Sequence, residues 1–175
     1  QTAATAGSAS TIYQGTPVIP LTNGMLDIVG AAAGGTVPIL GVFMGCEYTD
    51  LNGTPTFTNK YPGTASVKAN TKVTGLISAN PDQLYLINCD AAAADSIIHA
   101  NANFGTATSG NATTGISSGE LAVSTATTTN TLNLRIIGFE DTPDNDDATV
   151  AGRLAIVLLN NQFYRYNANG TGAGI

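Results

Sequence analysis

The chain has little charge and few titratable groups. Its 175 residues include 6 Lys and Arg, 12 Asp and Glu, a single His and no Trp. General acid–base and nucleophilic catalysis need titratable groups held close together in a cleft, and this chain has few to place there. The composition therefore argues against an enzyme and favours a structural or binding protein of the extracellular type.

Long apolar runs and basic clusters are also missing. No stretch approaches the roughly 18 consecutive apolar residues of a membrane span, so we expect no membrane partner. The net charge of −6 disfavours a nucleic-acid partner, because affinity for phosphates depends on clustered Lys and Arg. Lys60, Lys68 and Lys72 come nearest to a cluster, and we interpret them as a solvated strand face. Residues 1–10 lack the basic and apolar regions of a signal peptide, which is expected to be absent or already removed.

Cysteine and histidine are too scarce for a typical metal centre. Cys46 and Cys89 each end an apolar run, which favours two buried, reduced thiols on strands. A disulfide would need their Cα atoms about 5–6 Å apart, and the sequence leaves this pairing open. His99, the only histidine, excludes a zinc site with several imidazoles, and its apolar neighbours predict a partly buried or interface side chain.

The acidic turn at 141–147 is the best candidate for a cation site. Its carboxylates are hard oxygen donors of the kind that Ca²⁺ prefers; they belong to Asp141, Asp144, Asp146 and Asp147. The spacing is poor for an EF-hand loop, because Pro143 occupies the third position and no Gly follows. We interpret the segment as a solvated hairpin tip, leave cation binding open, and assign no catalytic, cofactor-binding or metal-binding residue.

Short β-prone runs separated by turn residues predict an all-β fold, a single β-barrel or β-sandwich. We expect a flexible N-terminal arm at 1–10, ordered only on binding, a β domain at 11–166 and a Gly-rich C-terminal tail at 167–175. At most one short helix is expected, within 90–98, with Asp90 as its N-cap. Strands are predicted at 12–13, 18–19, 25–29, 37–48, 54–61, 67–77, 83–89, 132–140 and 153–159.

Three further local predictions concern the shape of these strands. Gly41 and Gly45 inside the run 37–48 indicate a bulge or a close backbone approach. The turn at 50–53 contains Asn-Gly and predicts that 54–61 folds back as a hairpin arm. Residues 104–115 are expected to form a loop, and 121–131 an edge strand or an extended connection.

Several segments in order resemble a group of tailed-bacteriophage virion proteins, the small head decoration or cement proteins, many of them from marine and cyanobacterial phages. The matching runs are 41–50 (GVFMGCEYTD), 60–63 (KYPG), 95–101 (DSIIHAN), 115–121 (GISSGEL), 134–138 (LRIIG) and 157–162 (VLLNNQ). The resemblance implies a protein that binds the outside of an icosahedral capsid, commonly as a trimer, and tightens contacts between major capsid subunits. It also implies assembly in the host cytoplasm, where cysteines stay reduced.

Two other functions remain open at this stage. A receptor- or carbohydrate-binding module of a phage tail, fibre or surface adhesin would present exposed aromatic side chains around a groove, drawn from Tyr48, Tyr61, Tyr164 and Tyr166. A hydrolase would need two carboxylates about 5–10 Å apart in a cleft. For a decoration protein, the low charge content predicts a cyclic homo-oligomer, a trimer, with 132–137 and 153–159 in or just beneath the subunit contacts.

Overall fold

The protein is all-β, as predicted. The computed structural model describes residues 10–21, 24–29, 37–105 and 109–165. These residues form a closed five-stranded barrel, a five-stranded sheet and a two-stranded sheet. The predicted arm, except for Ser10, and the predicted tail at 167–175 lie outside the described residues. Over the described ranges, no helix has the length and apolar character needed to cross a membrane.

The first half of the chain builds the N-terminal sheet. Its strands are β2 (Pro17–Pro20), β3 (Leu26–Ile28), β4 (Gly41–Thr49), β5 (Pro55–Thr58) and β7 (Thr74–Ser78), while β1 (Ile12–Tyr13) pairs with β6 (Lys60–Tyr61). Strand β4 is central, because it pairs antiparallel with β2, β5 and β7. The predicted strand 67–77 is shorter than expected, since β7 begins only at Thr74.

The glycines and the turn of β4 behave as the sequence predicts. A Cβ added at Gly41 would lie 2.2 Å from the Ser78 carbonyl oxygen, so the backbones approach too closely for a side chain. The register of β4 against β7 shifts between Phe43 and Gly45, which is the predicted bulge. The turn at 50–53 closes with Gly53 at φ 89° and returns the chain into β5. The hairpin is therefore confirmed for 55–58, whereas 60–61, the end of the predicted arm, forms β6 and pairs with β1.

The second half of the chain builds the barrel. Its strands are β8 (Leu84–Cys89), β9 (Asn101–Phe104), β10 (Glu120–Thr127), β11 (Leu134–Phe139) and β12 (Leu154–Leu159), closed in the order β10-β8-β12-β11-β9. The segment 121–131, predicted as an edge strand or an extended connection, holds β10 as far as Thr127. The edge position is wrong, because β10 pairs with β9 on one side and, at Glu120 and Leu121, with β8 on the other. Strand β9 was not predicted, since Asn101 and Asn103 interrupt its apolar pattern.

Within the described ranges, helical structure is limited to short 3-10 turns at Thr64–Ser66, Asp95–Ile97 and Pro143–Asn145. The segment 90–98, expected to hold a short helix, contains only the second of these. Asp90 does not cap it. Its Oδ1 instead accepts a hydrogen bond from the backbone N–H of Val123 at 2.9 Å and thereby links the end of β8 to β10.

The described residues form two hydrophobic clusters in the core. The larger cluster fills the barrel and includes Leu121, Leu134, Ile136 and Val157. The smaller lies under the N-terminal sheet; its buried members are Ile12, Val18, Phe43, Cys46, Tyr61 and Val73. Strand β4 supplies residues to both clusters, Val42 to the first and Phe43 to the second.

Candidate functional site

The outer surface of the barrel is apolar where β8 and β12 lie side by side. In β12, the side chains buried in the barrel alternate with Leu154, Ile156 and Leu158, which are only partly buried and face outward. In β8, Leu84 and Leu86 are 48% and 57% exposed. Both strands therefore carry apolar side chains on the solvent side, where a barrel strand normally carries polar ones.

The strand register joins these side chains into one surface. Leu86 lies opposite Ile156, and Leu84 opposite Leu158. On the next strand, Ile137 is 38% exposed. We call Leu84, Leu86, Ile137, Ile156 and Leu158 the barrel face. The exposed Arg135 lies opposite Leu158 and borders this surface. A group of neighbouring exposed apolar side chains marks a contact site more often than an isolated exposed leucine does.

A groove runs beside the barrel face, between the barrel and the N-terminal sheet. It has a volume of about 620 Å³ and is lined by Gln14, Gly15, Val42, Met44, Ser78, Gln83, Tyr85 and Ile116. Met44 and Ile116 are 44% and 54% exposed. The Tyr85 hydroxyl donates a hydrogen bond to the Ser78 carbonyl at 3.1 Å and so links the two walls.

The hairpin of β4 and β5 presents a second apolar site. Leu51 in its turn is 66% exposed, and Phe57 on β5 is 68% exposed. Phe57 pairs with Glu47, which is also exposed. We call Leu51 and Phe57 the hairpin site. It lies on a different sheet from the barrel face, so the two apolar sites can contact different partners.

The acidic turn is anchored by an amide, and its carboxylates do not converge. Asn145 is buried, and its side chain donates hydrogen bonds to the carbonyls of Glu140 and Leu154 at 2.8 and 3.0 Å. The neighbouring carboxylates are exposed, and hydrogen bonds from the Thr149 hydroxyl and backbone N–H hold the pKa of Asp147 below its ordinary value. Across the described ranges, no group of three or more His, Cys, Asp and Glu side chains is arranged to hold a metal ion.

His99 meets only one of the two environments that the sequence allows. Its side chain is exposed, so the expectation of partial burial is wrong, whereas an interface position stays a prediction. The residue sits at φ 72°, and its backbone N–H donates to the Ile136 carbonyl at 2.9 Å. The left-handed conformation turns the chain between the 3-10 turn at Asp95–Ile97 and β9, and this turn carries the side chain away from the apolar neighbours that suggested burial.

The two cysteines are free and buried, which confirms the prediction of unpaired thiols. They lie in different clusters, Cys46 under the N-terminal sheet and Cys89 in the barrel. Burial raises the pKa of each thiol to about 11. A thiol of this kind is protonated at neutral pH and is therefore a poor nucleophile.

A Gly-x-Ser-x-Gly spacing, which the sequence-based case against an enzyme overlooked, occurs at 115–119. In a nucleophile elbow this motif joins a strand to a helix and projects the serine at the turn. Here the strand β10 follows the motif instead. The Ser117 hydroxyl accepts a hydrogen bond from the Gly119 backbone N–H at 3.1 Å, which is a local turn contact. The motif therefore lacks the structural setting of an elbow.

The most elaborate polar arrangement centres on Arg153, which the sequence did not single out. Its guanidinium lies 3.8 Å from the centre of the Phe139 ring and donates to the Ala93 carbonyl at 2.8 Å. It also pairs with Asp95 at 2.7 Å and donates to the Asn145 carbonyl at 3.1 Å. Because Arg153 is only 8% exposed, these contacts hold the acidic turn and the 3-10 turn at Asp95–Ile97 against the barrel. Its role is structural.

The tyrosines expected to surround a binding groove are dispersed. Tyr61 is 5% exposed and belongs to the smaller core cluster. Tyr48 is partly buried against that cluster, and Tyr164 is exposed and packs edge-on against Phe163. Tyr166 lies outside the described residues. The described tyrosines of this set thus supply no common aromatic groove.

The three lysines also differ from the predicted strand face. Only Lys60 lies on a strand, and its ammonium group donates a hydrogen bond to the Ala112 carbonyl. Lys68 and Lys72 are exposed in the connection between β6 and β7.

Comparison with known proteins finds no similarity to report: no family model, no curated protein and no solved structure matches this chain.

Proposed function

We propose that this chain is a virion structural protein, a non-enzymatic capsid decoration or cement protein that binds the outer surface of a bacteriophage head and stabilises it. The observation that carries the proposal is the barrel face, an exposed apolar surface on a chain with only 10% charged residues. The resemblance of the ordered sequence segments to phage decoration proteins supplies the capsid as the partner.

The barrel face is the contact between copies in this proposal. Fully burying a leucine contributes about 1.5–3 kcal/mol, so a side chain that is 57% exposed, such as Leu86, has about 1 kcal/mol left to gain from a partner. Several such side chains on one surface offset much of the entropy lost on association. A cyclic homotrimer uses the barrel face once in each of its subunit contacts.

The hairpin site is then left for the major capsid protein. It lies on the N-terminal sheet, and its two apolar side chains remain exposed once the barrel face is covered. A buried phenylalanine is a frequent anchor at the centre of a protein contact. The proposal therefore separates assembly of the trimer from binding to the capsid.

The test uses purified heads assembled without this protein. The wild-type chain is expected to bind them saturably and to raise the temperature at which they release DNA. Phe57→Ser should weaken binding by about fivefold to tenfold per contact while the oligomer remains intact. Val150→Ser is the matched control, because Val150 is 52% exposed but lies on neither apolar site.

Either of two results would overturn the proposal. The first is a wild-type chain that remains monomeric at high concentration and does not bind the heads. The second is binding of a glycan or host receptor that is lost in Phe57→Ser, which would replace it with the receptor- or carbohydrate-binding function.

A further inference from the structure

The seam between β8 and β10 is closed at one end only. Along one side of β8, residues from Leu84 to Asn88 pair with β12. Along the other side, only Asn88 and Cys89 pair with β10. In the part of the chain that the structure describes, no strand pairs with β8 on this side between Leu84 and Ile87. The barrel wall therefore has an opening beside this half of β8.

A cavity of about 300 Å³ leads from this opening into the barrel, and we call it the barrel cavity. Its inner wall consists of side chains that belong to the larger hydrophobic cluster, from Val42, Phe104, Leu134, Val157 and Leu159. Each of these five side chains is at most 9% exposed. Protein interiors contain few voids larger than a water molecule, so an opening of this size into the core is a candidate binding site.

The mouth of the barrel cavity opens onto the groove beside the barrel face. Gln14, Gly15 and Ile116 line both spaces, and Ile116 is 54% exposed. Ser117 lies next to Ile116 and also lines the cavity. The Gln14 amide and the Ser117 hydroxyl are therefore hydrogen-bonding groups at the mouth, whereas the inner wall consists of hydrocarbon side chains. A molecule in the cavity meets an apolar inner part and a polar outer part.

The wall of the barrel cavity is also uncharged. Among the described residues, no Lys, Arg, Asp or Glu lines it. A charged group moved from water into these surroundings would lose its hydration without gaining an ion pair. The net charge of −6 further disfavours an anion. The wall therefore selects an uncharged molecule.

We infer that the barrel cavity binds an uncharged molecule with an alkyl chain and one polar end, with the chain inside the barrel and the polar end at the mouth. An apolar cavity of about 150 Å³ holds one benzene molecule. The barrel cavity is about twice as large, so it has room for roughly ten non-hydrogen atoms, the size of a medium-chain alcohol. The inference does not depend on the proposed capsid function.

Nuclear magnetic resonance of the methyl-labelled full chain tests this assignment, with 1-octanol as the probe. The methyl resonances of Leu134, Val157 and Leu159 are expected to shift saturably as 1-octanol is added. Leu51, which is 66% exposed and lies outside the cavity, should not shift and so reports binding to the surface.

Two related compounds test the orientation of the chain. 1-Hexanol has two fewer CH₂ groups and should bind about fifteenfold more weakly, because each buried CH₂ contributes a factor of about four. 1,8-Octanediol has the same chain with a hydroxyl at each end. It should bind at least tenfold more weakly than 1-octanol, because its second hydroxyl would be buried among hydrocarbon side chains.

A cavity-filling variant gives an independent test. Val157→Phe places additional carbon atoms in the barrel cavity and should weaken 1-octanol binding at least tenfold. Val150→Phe is the matched control, because Val150 is 52% exposed and does not line the cavity, and it should bind as the wild type does. Thermal melts check that Val157→Phe folds. If it does not fold, the methyl shifts and the comparison with 1,8-octanediol in the wild type decide the question.

The inference is overturned if 1-octanol shifts none of the three cavity residues, or shifts Leu51 as strongly as it shifts them. Equal affinity for 1-octanol and 1,8-octanediol would also overturn it, because a hydroxyl would then be accommodated where the wall is apolar. Either result leaves the capsid proposal in place, since that proposal depends on the barrel face and the hairpin site.

Discussion

Replacing Leu86 tests whether the barrel face holds copies together. Leu86→Ala removes about 1 kcal/mol of apolar burial from each subunit contact, since the leucine is 57% exposed in the isolated chain. The proposed cyclic trimer would have three such contacts, so its association constant should fall by about a hundredfold or more. Leu86→Asp adds the cost of burying an unpaired charge and should leave monomers at micromolar concentration.

Sedimentation velocity over a concentration series measures this effect directly. Val150→Asp introduces the same charge at another exposed apolar position and should leave the trimer intact. Ile136→Asp is a useful contrast, because Ile136 is 0% exposed and its replacement should prevent folding instead of assembly. The reasoning fails if Leu86→Asp and the wild type give the same mass at every concentration, or if Val150→Asp dissociates the trimer as strongly.

Two further predictions concern stability. Burial raises the pKa of Cys46 and Cys89 from 9.0 to about 11. The stability that their protonated thiols contribute is therefore full below pH 9 and is lost as the pH rises through 11. Thermal melts should show a smaller loss of stability over this interval for Cys46→Ser with Cys89→Ser than for the wild type. Arg153→Met should lower the free energy of unfolding in urea by about 2–4 kcal/mol, because it leaves the Ala93 and Asn145 carbonyls unpaired. Asp95→Asn should lower it by less than about 1 kcal/mol, because Asp95 is 72% exposed. Equal losses for Arg153→Met and Asp95→Asn would contradict the second prediction.

The turns could be predicted from the sequence, but the pairing of strands that lie far apart along the chain could not. The Asn52-Gly53 turn and the glycines of β4 act within a few residues, so their effects could be predicted. Strand β9 was missed because Asn101 is polar yet buried; its side chain donates to the Thr129 carbonyl at 3.0 Å, a partner far along the chain. The place of β10 inside a closed barrel depends on two non-local pairings that its Thr and Ala residues do not specify.

The sequence holds a second signal for the barrel face, besides the low charge content from which 132–137 and 153–159 were expected in or just beneath the subunit contacts. The run 154–159 is apolar at every position, although an antiparallel strand with one solvent-facing side alternates. Such a run indicates that both faces of the strand contact something apolar. The structure shows which residues face inward, and so separates Ile136, whose role is folding, from Leu158, which lies on the outer surface.

Strand β4 contributes Val42 to the barrel cluster and Phe43 to the cluster under the N-terminal sheet. If the core of one half unfolds, β4 is lost from the core of the other half as well. The two halves should therefore unfold in one cooperative transition, with equal calorimetric and van 't Hoff enthalpies. Partial unfolding of one half, and the aggregation-prone intermediates that it produces, would then be rare. Such coupling keeps the whole chain intact up to the temperature at which it unfolds.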